Sequence, residues 1–309
     1  MQRKMVTGRS NSNMNEQRVG LLGATSFAGE CLIRKLIEYG WHVTAFTRHS
    51  ITNKTLHPQI TWQQFATMDS TKVCNEGRKI RAWLCVAPIW ALSEHFDLLS
   101  AYGARRIVAL SSTSRFTKNT SSDLNERKIA QQLIKSEELL QTWAAAHEVE
   151  CVILRPTLIY GYGRDKNITE IAKFIRRFGF FPLFGSASGL RQPIHVEDVA
   201  AACYAALSRD NLTNQTYNLS GEETLTYRAM VERIFTAMHR SPRMLTVPLW
   251  LFEIATWGLR WLPKYRNWTT AMAERMNQDL KFDCSEAKRD LDFSPRSFKL
   301  TAEDLPVQH

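Results

Sequence analysis

The sequence has no arrangement of cysteines that would suggest a metal site or a disulfide framework. Its six cysteines are scattered over 309 residues without a C-x-x-C pair, and four of them (Cys31, Cys85, Cys151 and Cys203) lie inside apolar stretches. Buried, unpaired thiols are typical of proteins in a reducing compartment. We therefore expect no metal site and a cytoplasmic location.

Long hydrophobic runs, repeats and low-complexity segments are also missing. Residues 1–17 are polar and contain Arg3, Lys4 and Arg9 without an apolar core, so we expect a disordered tail and not a secretory signal. The sequence contains no run of basic residues interleaved with aromatics, which is the pattern that would indicate a nucleic-acid surface. The net charge of +10 still favours anionic partners, and we expect a phosphorylated cofactor or small-molecule substrate, not nucleic acid.

What the sequence does contain is a glycine-rich turn, in residues 18–29, between an apolar run and a helical pattern. Small residues three apart let backbone N–H groups approach a diphosphate at the positive end of the following helix. The residues predicted to bind a dinucleotide here are Gly23, Ala24, Thr25, Ser26, Phe27 and Gly29. The alternative is a strand–helix turn that binds no ligand.

Short apolar strands then alternate with helical patterns up to about residue 160. Strands are predicted at 41–47, 60–65, 82–87, 106–110 and 151–154. This alternation indicates an α/β fold, a doubly wound parallel sheet in which ligands bind beyond the carboxyl ends of the strands. The candidate cofactor ligands at these ends are Thr47, Arg48, Ala87, Pro88, Pro156 and Thr157.

Four stretches carry a family resemblance: GATSFAG (23–29), RIVALSSTS (106–114), LRPTLIYGYG (154–163) and RQPIHVEDVA (191–200). A weaker fifth is YNLSG at 217–221. They resemble the extended and atypical branches of the short-chain dehydrogenase/reductase superfamily, the group labelled NAD-dependent epimerase/dehydratase. The resemblance implies an NAD(P)-dependent oxidoreductase or epimerase that acts on a nucleotide sugar or another carbinol or ketone substrate.

With this resemblance, the chain is predicted to have three parts. They are a tail (1–17), a Rossmann-type NAD(P)-binding domain (18–160) and a smaller mixed C-terminal substrate lobe (161–309). The lobe is expected to hold a helix at 199–207, a strand at 216–219, a helix near 227–238 and a helical C-terminal third.

The resemblance also assigns catalytic roles, and here the sequence departs from the family. The family uses a Ser or Thr after the fifth strand, which matches Ser112, together with a Tyr and a Lys four residues later. Residues 123–141 contain no tyrosine. One alignment puts Ala130 and Ile134 at the Tyr and Lys positions, and another puts Gln131 and Lys135 there. Lys135 is thus a candidate ribose ligand, with a solvated lysine beside Glu138 as the alternative.

Two further residues are candidate substrate ligands. In sugar-nucleotide members of the family the arginine that matches Arg191 clamps the substrate diphosphate, for which a planar guanidinium is suited. The alternative is a surface arginine. Tyr160 lies in a loop near the expected substrate cleft, with a packed aromatic as the alternative. His195 and Asp198 are interpreted as a packed histidine and a helix N-cap.

A second function class remains open because the glycine turn is intact while the tyrosine is missing. The chain also resembles the nucleotide-binding accessory subunit of respiratory complex I, a relative that holds NADPH without consuming it. A non-catalytic NADP(H)-binding sensor, scaffold or assembly protein is therefore the alternative to an enzyme.

The end of the second predicted strand indicates which cofactor is preferred. NAD-specific sites place an acidic residue about 20 residues beyond the glycine turn, where it binds the ribose 2′-hydroxyl. No acid occurs from Trp41 through Met68, whereas Arg48 offers a forked cation to a 2′-phosphate, with Thr47 and His49 beside it. We therefore predict NADP(H) over NAD(H).

Residues 247–262 form an apolar, tryptophan-rich segment that is too short and too charged to span a bilayer. The segment is either a core helix or a helix in a membrane interface, where the flanking Arg240, Arg243, Lys264 and Arg266 would attract acidic headgroups. Peripheral contact with an anionic membrane through 247–262 is thus expected as one of two possibilities.

Overall fold

The structure, a computed structural model, describes residues 17–48, 50–51, 57–65, 79–210, 212–249 and 270–307. His49, residues 1–16 of the predicted tail and residues 250–262 of the apolar segment lie outside the described residues. The disordered tail and the membrane-interface helix therefore stay predictions. No helix within the described ranges is long and apolar enough to cross a membrane.

Strands and helices alternate along the described chain. In chain order the strands are β1 (Arg18–Leu22), β2 (His42–Thr47), β3 (Ile60–Gln64), β4 (Ala82–Cys85), β5 (Arg106–Leu110), β6 (Glu150–Pro156), β7 (Ile159–Tyr160), β8 (Phe181–Phe184), β9 (Leu190–Arg191), β10 (Ile194–His195), β11 (Gln215–Leu219), β12 (Leu225–Thr226) and β13 (Met244–Val247). The α-helices are α1 (Phe27–Glu38), α2 (Phe96–Ala101), α3 (Ser114–Thr117), α4 (Leu124–Ala146), α5 (Ile168–Phe178), α6 (Val196–Ser208), α7 (Tyr227–Ala237), α8 (Thr270–Arg275) and α9 (Ser285–Leu291). Two 3₁₀ helices cover Ile89–His95 and Ala302–Asp304.

Seven of these strands form one sheet in the order β3–β2–β1–β4–β5–β6–β11, with parallel pairing throughout. The order reverses between β1 and β4, which is the point where ligands bind in doubly wound sheets. The predicted α/β fold with a doubly wound parallel sheet is confirmed.

Both faces of the sheet are covered because successive strand residues point to opposite sides. In β5, Val108 and Leu110 belong to one buried cluster, whereas Ile107 and Ala109 belong to the other. Helices α1 and α6 cover the first face and touch through stacked rings of Tyr39 and Tyr204, 4.3 Å apart. Helix α4 covers the second face.

A third buried cluster forms the core of the C-terminal lobe. Strands β8 and β13 pair in parallel, and helices α5 and α7 pack on them. Helix α5 buries one stripe at helical spacing, Ile168, Ile171, Ala172 and Ile175. It ends at Gly179, whose φ of 78° is the left-handed cap conformation that glycine adopts readily.

The structure corrects the predicted content of the C-terminal lobe. Strand β11 pairs with β6 from Gln215↔Val152 to Leu219↔Pro156, and helix α6 packs on α1. The predicted elements at 216–219 and 199–207 therefore belong to the main sheet and its cover, and their assignment to the lobe was wrong. The boundary at residue 160 otherwise stays a prediction.

The start of helix α6 also differs from the prediction. The helix begins at Val196, and its N-cap is His195, whose ring accepts a hydrogen bond from the Glu197 N–H at 3.3 Å. Asp198 is not the cap. Its carboxylate accepts hydrogen bonds from the backbone and guanidinium of Arg296 at 2.9 and 3.0 Å.

Candidate functional site

A cleft of about 1050 Å³ opens at the carboxyl edge of the sheet. Its sheet side is formed by the segments that follow β1, β4, β5 and β6, and its other side by α5, β8 and nearby parts of the C-terminal lobe. The volume is slightly above the range of about 300–1,000 Å³ common for small-molecule and cofactor sites. The cleft is therefore large enough for a cofactor and a substrate together.

The glycine turn has the steric form that a dinucleotide site requires. Gly23 has φ of +87°, and a Cβ there would collide with the backbone of Val86 and Ala87. A Cβ on Gly29 would collide with the carbonyl oxygen of Gly23. Both glycines are thus needed for the close approach of β1, the turn and α1.

The cleft side of the turn is formed by Ser26 and Phe27 at the start of α1. The Ser26 hydroxyl caps the helix by accepting a hydrogen bond from the Gly29 N–H at 3.1 Å. Ala24 is buried and Thr25 is exposed. The positive end of the 12-residue helix α1 therefore faces the cleft, and Ser26 and Phe27 at that end fit a pyrophosphate.

The loops after β4 and β6 bring four other predicted cofactor ligands to the same cleft. Ala87 and Pro88 line it on one side, and Pro156 and Thr157 on the other. Ser112 lies between them after β5, and its oxygen accepts a hydrogen bond from the Ser114 N–H at 3.1 Å. Since that bond uses only the oxygen, the Ser112 hydroxyl hydrogen can still be donated to a ligand.

Helix α4 presents a different face to the cleft than either predicted alignment assumed. Leu133 lines the cleft, whereas Gln131 and Lys135 are exposed on the solvent side of the helix. Ala130 is fully buried in the helix–sheet core. The structure therefore does not bring Lys135 to Ser112, and α4 contributes an aliphatic side chain where the family has its catalytic pair.

A buried carboxylate lies one turn beyond Leu133. Glu137 is 1% exposed and accepts hydrogen bonds from the hydroxyl of Ser111 and from the guanidinium groups of Arg115 and Arg155. Sequence reasoning missed this cluster. The available signal was an acid within an apolar stripe of α4 (Leu133, Glu137, Leu140 and Ala144) at helical spacing.

Arg191 lies in the cleft wall, but the protein itself uses much of its guanidinium. The side chain donates to the carbonyl oxygens of Leu190 (2.7 Å), Gln278 (2.8 Å) and Arg275, and it stacks over the ring of Tyr227. Arg191 is 4% exposed, and burial lowers the pKa of its guanidinium to about 10. At most two of its five N–H groups remain for a ligand.

Tyr160 is a packed aromatic, the alternative considered for it. It is 1% exposed, its ring contacts the rings of His195 and Phe298, and it is not among the residues that line the cleft. Its hydroxyl has no hydrogen-bond partner among the described residues, and burial raises the pKa of that hydroxyl. His195 is likewise buried, with Nε2 3.2 Å from the Asp304 carboxylate.

The predicted 2′-phosphate ligands lie at the end of β2, outside the lining of the main cleft. Thr47 is buried and Arg48 is exposed. Burial and the charge of Arg48 together lower the pKa of the nearby His95, although Glu94 acts in the opposite direction. Arg48 directly follows β2, the strand that pairs with β1, a position compatible with a ligand that follows the sheet edge from the glycine turn.

A cationic group in the cleft was also missed by sequence reasoning. Lys118 and Arg275 line the cleft and share the carboxylate of Glu126, with Lys118 Nζ 3.7 Å from that carboxylate. These residues come from α8, α4 and the end of α3, so no local pattern unites them. Within the described residues, no group of three or more His, Cys, Asp or Glu side chains is placed to hold a metal ion.

The NAD-dependent epimerase/dehydratase family model matches residues 95–220. Subunit 9 of the NADH dehydrogenase 1 alpha subcomplex from Arabidopsis thaliana mitochondria is 32% identical over 36% of this chain. The match covers only 29% of that subunit. The uncharacterized protein YbjS of Escherichia coli is 22% identical over 90% of this chain and 93% of its own length.

A solved structure of similar fold is that of UDP-glucuronic acid 4-epimerase from Bacillus cereus in complex with NAD. It superimposes with a TM-score of 0.66 and 16% identity over 93% of this chain and 95% of the epimerase. The predicted resemblance to extended short-chain dehydrogenase/reductases of the epimerase/dehydratase type is confirmed. The fold is a Rossmann-type α/β fold similar to that of this epimerase.

We predict that Glu137→Gln destabilises the protein by about 3 kcal/mol, because it leaves Arg115 and Arg155 without a buried counter-charge. The measurement is the free energy of unfolding from urea denaturation. Glu138→Gln, at the exposed neighbouring position, is the control and should change stability by less than about 0.5 kcal/mol. Equal effects of the two changes would show that the buried cluster does not stabilise α4 against the sheet.

Proposed function

We propose that this protein is an NADP(H)-dependent oxidoreductase or epimerase-like enzyme that exchanges hydride at a carbinol or ketone carbon. The observation that supports this most directly is the single cleft wall shared by the glycine turn and Ser112. The cofactor supplies or accepts the hydride. Ser112 donates a hydrogen bond to the reacting oxygen, and the apolar residues Leu133 and Pro156 keep bulk water away from it.

A non-catalytic NADP(H)-binding protein is the second candidate, and Leu133 favours it. A tyrosine of ordinary pKa needs a nearby cation to act as a base at neutral pH, and α4 provides neither the phenol nor the cation at the cleft. The local likeness to the complex I subunit agrees with this candidate. Stable cofactor binding without oxidation across a panel of carbonyl compounds would favour it over the enzyme.

Preference for NADP(H) is supported by Arg48 at the end of β2. The side chain is exposed there. No aspartate or glutamate occurs in the sequence from Trp41 through Met68. A permanently charged fork suits a phosphate dianion, and a carboxylate at this place would repel one.

We also propose that the protein works in the cytoplasm and contacts the inner face of an anionic membrane through 247–262. Five of its cysteines are free in the structure, which agrees with a reducing compartment. The tryptophans and flanking cations of the segment are of the kind that bind acidic headgroups.

Ser112→Ala should lower kcat on the order of 10²-fold, since it removes the donor that polarises the reacting oxygen. Turnover is followed through the absorbance of the reduced cofactor. Ser93→Ala, outside the cleft lining, is the control and should leave the rate unchanged. An unchanged rate in the Ser112 variant would remove this residue from the proposed mechanism.

Arg48→Ala should abolish most of the preference for NADP(H), which we expect to be about 10- to 150-fold from one charge-assisted phosphate contact. Affinity for NAD(H) should barely change, because the diphosphate is bound at the glycine turn. Calorimetric titration of both cofactors measures this, with Arg105→Ala as a control at another exposed arginine. Equal losses for the two cofactors would show that Arg48 does not contact the 2′-phosphate.

Co-sedimentation with anionic vesicles tests the membrane contact. We expect binding at low salt that is lost on Trp257→Glu in a protein that remains folded by circular dichroism. If the unchanged protein fails to bind vesicles at low salt, the membrane proposal is wrong.

A further inference from the structure

The cleft carries a large surplus of positive charge. Among the described residues that line it, seven are Lys or Arg and two are acidic. Part of this surplus is balanced by ion pairs: Arg164 pairs with Glu30, Lys173 with Glu170, and Lys118 and Arg275 with Glu126. One of the two acids, Asp165, is already engaged by the hydroxyl of Thr169 at 2.9 Å and by the backbone N–H of Asn167 at 2.8 Å. A ligand that fills this cleft beside the cofactor should therefore be an anion.

The surplus is strongest at Lys118 and Arg275. Both face Glu126, which is 8% exposed and also accepts a hydrogen bond from the Ser121 hydroxyl at 2.8 Å. Burial lowers the pKa values of Lys118 and Arg275, and the charge of Arg275 adds to the effect on Lys118. Two partly desolvated cations thus lie side by side in the cleft lining, with the carboxylate of Glu126 paired to both and the charge of Asp123 acting on both. A bound anion would add a further partner on the cleft side of this pair.

The opposite wall of the cleft carries an apolar patch beside the charged side chains of Glu170, Lys173 and Arg177. The patch is formed by Phe174 and Phe178 of α5, Phe181 and Phe184 of β8, and Met230 of α7. The ring of Phe174 lies 4.6 Å from that of Phe178 and 5.5 Å from that of Phe181, so the aromatic side chains form a continuous surface. A sugar placed here would lose hydrogen bonds to water, and each polar group left unpaired by these rings would weaken binding.

We propose that the substrate is an anionic amphiphile, with its charged head against Lys118 and Arg275 and an alkyl or isoprenoid chain along the aromatic patch of Phe174 and Phe178. The proposal rests on the proposed function, because it places this molecule in the cleft beside the cofactor. The proposed substrate differs from a nucleotide sugar because the part away from its charged head is an apolar chain. The commitment of Arg191 to three carbonyl oxygens agrees with this difference.

Chain length gives a quantitative test. Moving one methylene from water to an apolar wall contributes about 0.8 kcal/mol, or roughly fourfold in affinity. Calorimetric titration of the full chain with octyl phosphate and dodecyl phosphate, both below their micelle concentrations, should give at least tenfold tighter binding of the longer compound. Binding should saturate at one molecule per chain. Inorganic phosphate and UDP-glucose should each bind at least tenfold more weakly than dodecyl phosphate.

Two pairs of variants locate the binding site. Phe178→Asn should weaken dodecyl phosphate about tenfold, whereas Leu139→Asn, at a position of similar exposure outside the cleft (42% against 45%), should not. Phe174→Asn is a second test of the same wall. Lys118→Gln should weaken dodecyl phosphate at least fivefold, and Lys128→Gln, at an exposed position of α4, should leave it unchanged.

Equal binding of octyl and dodecyl phosphate, tighter binding of UDP-glucose, or equal effects of cleft and control variants would overturn the proposal. A separate titration with NADP(H) tests the proposed function independently of the amphiphile proposal. Cofactor binding without saturable binding of dodecyl phosphate would overturn the amphiphile alone. Amphiphile binding without cofactor binding would overturn the proposed oxidoreductase function.

Discussion

The geometry of the candidate site depends on one buried carboxylate. Glu137 ties α4 to the segment after β5 through Ser111 and to the end of β6 through Arg155, whose Nη2 lies 2.6 Å from it. Those same segments carry Ser112 and Thr157 into the cleft. A buried charge is tolerated only when it is paired and hydrogen-bonded, so the cluster fixes the spacing between helix and loops. The position of Ser112 follows from that spacing.

This arrangement also explains which side chains α4 presents to the cleft. Because Glu137 must face the ends of β5 and β6, the residue one turn earlier, Leu133, must face the cleft. Lys135 is then directed to solvent. This face of α4 carries a structural ion cluster, and Ser112 is the hydroxyl that the segment after β5 brings to the cleft.

The sheet and its cofactor edge could be predicted from the sequence because they follow from local rules. A strand at 106–110 was predicted with the bounds that the structure shows. The requirement at Gly29 concerns backbone clearance within the turn, although the clearance at Gly23 is against Val86 and Ala87 after β4. The return of β11 to the sheet could not be predicted in this way. The chain leaves the sheet after β6 and pairs with it again about 60 residues later, and no local pattern records such a pairing.

Residue type alone also failed to show which partner a side chain would have. An arginine at position 191 can bind a diphosphate or three backbone carbonyls, and the choice depends on where Arg275 and Gln278 lie. The same holds for the side of the cleft away from the sheet, which is assembled from α3, α5, β8, α7 and α8. Its surplus of cations gives part of the net charge of +10 a definite location. The basic character of the chain therefore resides, in part, in this cleft.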